Sequence, residues 1–275
     1  MTAGATPRFW IKKAVKLALL APASVGRVRE PGLYVLIYHR VGAGMGREMD
    51  MPEDLFRAQM AYIRRRMEVV TLQTGLDGMR SGSRPGRDQV AVTFDDGYGE
   101  VYTHAWPILS SLGVPATVFV STGFVEGLCS APIRADALGT GADPEPLTWS
   151  QLGEMTASGL DIGSHSHSHP RFDRISREEA AREASMSKEI IESSLGRPVR
   201  MFAYPSAVPG NEDAVAENYE YAVARVGSKN LVRGFHPLRV VRTPVRASDG
   251  MFFFRRRLEG IRPLEDRLYM TLRGE

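Results

Sequence analysis

Residues 90–97 read VAVTFDDG, an apolar run of β-forming residues that ends in two carboxylates and a glycine. A run of this kind is typical of a strand that is buried on both faces, as in a parallel sheet. The two carboxylates fall where the strand ends. Because the carboxyl ends of parallel strands carry the binding and catalytic groups of α/β folds, the stretch predicts a functional position there.

Similar apolar runs recur along the chain and alternate with segments that have helical spacing of apolar residues. Strands are predicted at residues 32–38, 90–94, 117–120, 160–163, 199–204, 221–226 and 238–243. Helices are predicted at residues 53–66, 101–112, 148–158, 176–196 and 251–257, and a long loop at residues 126–146. Alternation at this spacing implies a parallel sheet with helical crossovers, so we expect an α/β fold of the distorted (β/α)7-type barrel class.

The composition is that of a soluble globular domain. The chain has 275 residues, of which 43% are hydrophobic and 24% charged. The net charge of +3 is too small to indicate a nucleic-acid partner. Cys129 is the single cysteine, which excludes an internal disulfide and a cysteine-rich zinc site. We expect a basic segment at residues 1–30 and one catalytic domain at residues 31–275.

The N-terminal segment carries apolar residues at helical spacing opposite Lys12, Lys13 and Lys16. This pattern predicts an amphipathic helix on an anionic membrane surface, and with it a cytoplasmic protein that is peripheral at the inner membrane. Residues 17–25 also resemble the short apolar region of a signal peptide, which would mean export. A solvated helix packed on the domain is the third interpretation.

The two carboxylates of the first motif, Asp95 and Asp96, would repel each other. Such a pair is costly unless a cation or a shared proton relieves it. An Asp-Gly turn without chemistry is the structural alternative. A metal ion would bind one carboxylate and leave the other free to accept a proton from water.

Residues 163–170 read GSHSHSHP and hold three of the six histidines. On an extended strand, His165 and His169 would lie about 13 Å apart, but a turn would bring them within about 6 Å of each other. Pro170 disfavours a regular helix, so we expect a turn at the strand exit. The pair of His165 and His167 is the alternative. Two histidines and one carboxylate form a hydrolytic site for zinc or a similar divalent ion.

These motifs resemble those of the polysaccharide deacetylase family, carbohydrate esterase family four, over about residues 31–250. The Thr-Phe-Asp-Asp-Gly motif is similar to the first family motif, and the resemblance implies that Asp95 is the catalytic base and Asp96 a metal ligand. The His-Ser-x-Ser-His motif matches the second. There the resemblance implies that the outer histidines, His165 and His169, bind the metal.

The third family motif resembles residues 200–205, RMFAYP. The resemblance implies that Tyr204 and Pro205 form a wall of the site and that a backbone N–H near Tyr204 stabilises the oxyanion. Ala203 stands where many members carry an arginine that pairs with the catalytic aspartate, and the glycine usually found after the proline is missing. Arg242 also resembles a family arginine, which is either structural or orients a carboxylate.

The general acid is expected at His39. Residues 37–41, IYHRV, resemble the start of a permuted branch that includes the poly-N-acetylglucosamine deacetylases of exopolysaccharide systems. In that branch the acid histidine lies on an N-terminal strand, and this chain has no C-terminal Leu-x-His motif. A histidine can serve as the acid because it titrates near neutral pH. A structural, hydrogen-bonded His39 is the alternative, and His236 is the weaker acid candidate.

The resemblance implies a metal-dependent hydrolase that removes N-acetyl groups from an N-acetylglucosamine-containing polysaccharide or a lipid-linked glycan. The implied cofactor is a divalent metal, zinc first, with cobalt, nickel or iron as alternatives. Two other functions stay open. One is a different barrel metallohydrolase that uses His165 and His167. The other is a non-catalytic carbohydrate-binding relative, which Ala203 and the missing glycine would favour.

Overall fold

The computed structural model describes residues 30–45, 48–132, 144–227 and 229–259. The predicted N-terminal amphipathic segment lies outside these residues, apart from Glu30, and so does most of the middle of the loop predicted at residues 126–146. Within the described residues, no helix has both the length and the apolar character that a bilayer span requires.

Parallel strands form a closed barrel. The strands are β1 (Leu33–Tyr38), β2 (Arg40–Val41), β3 (Asp50–Met51), β4 (Glu68–Val69), β5 (Gln89–Phe94), β6 (Ala116–Val120), β7 (Asp161–Ser164), β8 (Met201–Ala203), β9 (Tyr221–Val226) and β10 (Val240–Pro244). The ring runs from β1 through β5 to β10 in chain order, and β10 pairs again with β1. The prediction of a (β/α)7-type barrel is confirmed.

Helices surround this barrel. They are α1 (Glu53–Arg66), α2 (Leu72–Arg80), α3 (Trp106–Leu112), α4 (Thr122–Val125), α5 (Trp149–Ala157), α6 (Arg177–Leu195), α7 (Glu212–Ala216) and α8 (Gly250–Leu258). A π-helical turn at Val101–Ala105 leads into α3, and 3-10 turns lie at Pro205–Ala207 and Ala247–Asp249. The sequence pattern missed α2 because its nine residues include two glycines, which lower helix propensity.

Capping residues fix where the helices of the second half begin. Thr148 and Gln151 form both bonds of a capping box at the start of α5. At α6, the Ser176 side chain accepts from the N–H of Glu179. Gly196 ends α6 in the left-handed conformation, where glycine has no steric penalty.

Asn230 completes the barrel at the seam between β1 and β10. The two strands pair directly only near Leu36 and Ile37. Farther down, Asn230 exchanges two backbone hydrogen bonds with Leu33, at 2.8 and 2.9 Å. Its side chain accepts from the N–H of Val241 and donates to the Val241 carbonyl, each at 2.8 Å. One buried asparagine thus satisfies backbone groups that a splayed seam would leave unpaired.

The carboxyl ends of the barrel strands meet at one rim, which positions the predicted functional residues. His39 follows β1, Asp95 and Asp96 follow β5, and His165 follows β7. Arg242 lies on β10, next to β1 in the ring. The closed sheet therefore brings together side chains that are far apart in the sequence.

Candidate metal centre

Asp95 and Asp96 leave the end of β5 with different backbone conformations. The N–H of Asp95 donates to the carbonyl of Tyr38 at 3.0 Å, which continues the pairing with β1. Asp96 then adopts a left-handed conformation with φ of 76°, and Gly97 follows with φ of 87°. Aspartate tolerates this region better than most residues, and glycine adopts it freely. Both carboxylates consequently line one cavity although neighbours on a strand point to opposite faces.

A hydrogen bond orients the ring of His165. The ring is buried, and Nδ1 lies 2.7 Å from the carbonyl oxygen of Ala203. Because a carbonyl only accepts hydrogen bonds, Nδ1 carries a proton and donates it, and Nε2 of the neutral ring presents a lone pair. That Nε2 lies 3.4 Å from Oδ1 of Asp96. Metal-ligating histidines are commonly oriented by such a bond to a backbone carbonyl.

The chain turns sharply after His165 and brings His169 back to the same place. Ser166 and His169 both have left-handed conformations, with φ of 66° and 61°. The two histidine rings lie 4.8 Å apart, and Nε2 of His169 is 3.5 Å from Oδ1 of Asp96. The predicted turn at the strand exit is therefore present. His167 instead points to Thr122, with Nδ1 2.9 Å from the threonine hydroxyl, so the alternative pair of His165 and His167 does not form.

The ligand atoms of Asp96, His165 and His169 have the spacing of a small-ion site. All three lie within 4.8 Å of one another. In a tetrahedral site with bonds of about 2.1 Å, ligand atoms lie about 3.4 Å apart. The two carboxylate-to-histidine distances of 3.4 and 3.5 Å match that spacing. Two imidazoles and one carboxylate therefore fit a divalent ion and leave room for water.

Electrostatics favour the protonation state that a metal ligand needs at Asp96 and at His169. Burial raises the pKa of Asp96, but the adjacent His165 and then His169 lower it by more, so the net pKa lies well below its usual value. Burial, followed by the nearby His165, lowers the pKa of His169 to about 4. At neutral pH, Asp96 is therefore ionised and His169 is neutral. The pKa of His165 is raised: burial opposes its charge, but Asp95 and Asp96 outweigh that effect.

Arg242 forms a buried ion pair with Asp95. Its Nη1 lies 2.6 Å from Oδ1 of the carboxylate, and the two side chains are 1% and 2% exposed. Burial raises the pKa of Asp95, yet the Arg242 guanidinium and then His165 lower it more, so the net pKa is below its usual value. Of the two readings of Arg242, the geometry favours the one in which it orients a carboxylate.

His39 lies at the same cavity, and His236 does not. The cavity has a volume of about 400 Å³, and its polar and charged lining residues are His39, Glu48, Asp95, Asp96, His165, His169, Ser206, Arg242 and Arg246. Burial lowers the pKa of His39, while Asp96 and Asp95 partly oppose that effect. His236 lines a separate cavity formed by the connection between β9 and β10. The weaker acid candidate is thus outside the site.

Tyr204 and Pro205 were expected to form a wall of the site, but they are not among the residues that line the cavity. The N–H of Tyr204 donates to the carbonyl of Val223 at 3.0 Å, because it continues the pairing of β8 with β9. Ser206 and Ala207 line the cavity instead. Ser206 has φ of 59°, and within the described residues its backbone N–H has no hydrogen-bond partner.

Comparison with known proteins shows which family this chain resembles. Residues 82–224 match the family model described as polysaccharide deacetylase. YxkH of Bacillus subtilis (strain 168), whose name assigns it only provisionally to the polysaccharide deacetylases, is 24% identical over 174 residues. The match covers 63% of this chain and 56% of YxkH, so the chain spans little more than half the length of that relative.

Solved structures share the barrel. The deacetylase PplD of Streptococcus pyogenes, solved in complex with acetate, has a TM-score of 0.70 at 21% identity, covering 85% of this chain and all of PplD (100%). IcaB from Ammonifex degensii has a TM-score of 0.67 at 26% identity, covering 80% of this chain and 94% of IcaB. The BpsB deacetylase domain from Bordetella bronchiseptica has a TM-score of 0.60 at 22% identity, covering 78% of this chain and 95% of that domain.

The three ligand candidates can be tested by metal binding. Asp96→Ala, His165→Ala and His169→Ala should each weaken zinc binding, because each variant removes one of three ligand atoms. The loss should exceed the factor of about 10 to 100 that follows when only a residue supporting a ligand is removed. Zinc content by elemental analysis and affinity by calorimetry would measure this. His167→Ala is the matched control and should bind like wild type. A His167→Ala protein without metal, beside a His169→Ala protein with metal, would contradict the assignment.

Proposed function

The chain belongs to the polysaccharide deacetylase family, and on that premise we propose that it is a metal-dependent hydrolase that removes N-acetyl groups from an N-acetylglucosamine-containing polysaccharide or glycan. One observation carries the proposal. An ion-paired carboxylate, Asp95, lies beside three converging ligand candidates, Asp96, His165 and His169, in one cavity. A carboxylate base next to a metal site can hydrolyse an amide, because the base takes a proton from water that the metal would activate.

Asp96, His165 and His169 would hold the divalent ion. Zinc is the first choice, with cobalt, nickel or iron as alternatives, since imidazole and carboxylate ligands suit all of them. When bound, the ion supplies Lewis-acid activation of water and of the acetyl carbonyl. The hydrogen bond from His165 to the Ala203 carbonyl orients one ligand before any ion enters.

Asp95 is the proposed base. It takes a proton from the attacking water, and Arg242 keeps it ionised and fixes its direction. Many family members place an arginine at the position of Ala203 for this purpose, and here Arg242 approaches from β10 instead. The alanine is therefore no argument for a non-catalytic relative, because the catalytic carboxylate still has a guanidinium partner.

Two further groups complete the proposed mechanism. Ser206 lines the cavity, and its backbone N–H has no partner within the described residues, so we assign this N–H, rather than that of Tyr204, to the developing oxyanion. His39 follows β1 directly beside Asp95, since Tyr38 is in register with Phe94. From there it protonates the departing amine.

The resemblance and the sequence suggest a substrate class and a place of action. The proposed substrate is a linear polymer of the poly-N-acetylglucosamine type, with a lipid-linked glycan as the alternative. The proposed location is the cytoplasmic face of the inner membrane, reached through the basic segment at residues 1–30, with export as the alternative.

The function is tested by acetate release. Wild-type protein incubated with N-acetylglucosamine oligosaccharides should release acetate. Acetate release should stop when a chelator removes the metal and resume when zinc or cobalt is added. Asp95→Asn should lower turnover by about two to four orders of magnitude, because the amide cannot accept the proton. Enzymatic acetate measurement and mass spectrometry of the sugar would record both.

Asp54→Asn, on the exposed start of α1, is the control for the charge change and should leave turnover intact. Oligosaccharide binding without acetate release by metal-loaded wild type would favour the carbohydrate-binding relative. Release that is unaffected by the chelator would contradict the metal-dependent mechanism.

The role of Arg242 is tested by the pH dependence of turnover. Arg242→Met should raise the pKa of Asp95 by about 1–3 units, because an arginine beside an aspartate lowers its pKa by that amount. A base must be deprotonated, so the acidic limb of the pH–rate profile should move to higher pH. Arg242→Lys keeps a positive charge and should move it less. Equal shifts in both variants, or none, would count against the ion pair as the cause.

The acid role of His39 is tested by its leaving-group dependence. His39→Ala should bind metal normally but lose about two to four orders of magnitude in amide turnover, because the amine departs poorly without a proton. An activated acetyl ester needs less protonation and should suffer a smaller loss. His236→Ala is the control and should behave as wild type, since that residue lies at a different cavity. Equal losses on amide and ester would exclude His39 as the acid.

A further inference from the structure

The loop that carries His165 and His169 has a backbone that needs outside support. Two of its residues, Ser166 and His169, are left-handed without being glycine. Non-glycine residues persist in such conformations only where the surroundings hold them. The turn is also what brings the second histidine to the first. Whatever holds the backbone therefore also holds the proposed metal ligands in place.

Each backbone N–H after His165 in this loop has a specific partner. Ser166 donates to Ser164 Oγ at 3.1 Å, and His169 donates to Ser166 Oγ at 3.0 Å. The two N–H groups between them, of His167 and Ser168, both donate to Oε2 of Glu183, at 2.9 and 2.8 Å. The first two partners belong to the loop and the strand before it. Glu183 is the partner that comes from elsewhere in the chain.

Glu183 uses both of its oxygens on this loop. Besides the two N–H groups on Oε2, its Oε1 accepts from the Ser168 hydroxyl at 2.6 Å. Hydrogen bonds to an ionised carboxylate are shorter and roughly twice as strong as neutral ones. Two consecutive N–H groups aimed at one anion form a concave site of the kind that backbone nests provide. One side chain therefore fixes three donors of the loop at once.

The helix that carries Glu183 is itself fixed to the barrel. Its buried face contains Ala180, Ala184, Ser187 and Ile191. The hydroxyl of Ser187 lies 2.7 Å from that of Ser164, at the end of β7. Glu183 thus extends from a helix whose distance to the strand end is set by packing, which makes it a rigid reference for the loop.

The opposite side of the loop is held through carbonyl groups. The carbonyl of His167 accepts from the N–H of Gly123 at 2.8 Å and from the Ser121 hydroxyl at 3.0 Å. These bonds use a carbonyl oxygen, so they do not compete for the N–H groups of His167 and Ser168 that donate to Glu183. The loop lies between α4 and α6, and within the described residues Glu183 is the charged partner of its backbone N–H groups.

We propose that Glu183 is a positioning residue that holds residues 165–169 in the conformation that binds the metal. It acts through the backbone, because it is neither among the three ligand candidates nor among the residues that line the cavity. This inference rests on the proposed function, since it takes the metal site as given. It adds a residue 14 positions beyond the last ligand to the machinery of the site.

Zinc affinity of the whole chain, measured by calorimetry, tests this role without an activity assay. Glu183→Ala should lower affinity about 10- to 100-fold, the usual cost of losing an outer-shell partner. Glu183→Gln keeps an oxygen for the two N–H groups and an amide for Ser168. Its affinity should fall midway between wild type and Glu183→Ala on a logarithmic scale, because its hydrogen bonds are neutral. Glu183→Asp keeps the charge, but its shorter side chain should not reach the loop, so its zinc affinity should also fall. This variant keeps the test available if Glu183→Ala proves unstable.

Glu189→Ala is the matched control, because this exposed glutamate on the same helix has the same charge. It should bind zinc as wild type does. The proposal would be overturned if Glu183→Ala bound zinc with wild-type affinity, if Glu183→Gln bound it no better than Glu183→Ala, or if Glu189→Ala lost as much affinity as Glu183→Ala. None of these results would contradict the metal site itself. A wild-type protein that binds no zinc, cobalt, nickel or iron would overturn the metal site and this inference together.

Discussion

The buried ion pair between Arg242 and Asp95 depends on closure of the barrel. Its two residues are 147 positions apart, and they meet because β10 and β5 both flank β1. Burial removes both charges from water, and their mutual attraction offsets part of the lost hydration energy, so removing either one would leave a costly unpaired charge. The pair also separates the roles of adjacent carboxylates. Asp95 pairs with the guanidinium of Arg242, whereas Asp96 lies beside the histidines.

Strands and helices do different work around this pair. The strands deliver side chains to one rim, where their spacing is set by the sheet. The loops beyond the rim adopt conformations that the sheet does not impose, and partners on the surrounding helices and neighbouring strand ends hold them. His165 shows both effects: its N–H is paired in the sheet to Val120, and its ring is oriented by the carbonyl of Ala203 on the next strand.

Much of the fold and part of the site could be predicted from the sequence, because strands and helices leave a periodic pattern of apolar residues. Apolar runs located the strands, and the strand ends located His39, Asp95 and His165. The curl that brings His169 back was expected only as one of two arrangements. The left-handed residues of this turn are Ser166 and His169, and because neither is glycine the sequence gives no sign of their conformation. Pro170 favoured a turn but did not fix its direction.

Other features depend on partners that are distant in the chain. The sequence assigned the oxyanion to the region of Tyr204, but it does not show that Val223 already uses that N–H. Likewise, α2 forms although its glycines weaken it, because Leu72, Leu76 and Met79 are buried against the barrel. In both cases tertiary contacts outweigh the local signal.

The pairing of β1 with β10 bears on the order in which the barrel strands can follow one another along a chain. A ring of strands has no first member, and β1 is flanked by the last strand of the chain as well as by the next one in the ring. A strand in that place could be encoded at either end of a gene and still present its terminal histidine to the same cavity. Circular permutation would relocate the codon for His39 without moving its side chain in space.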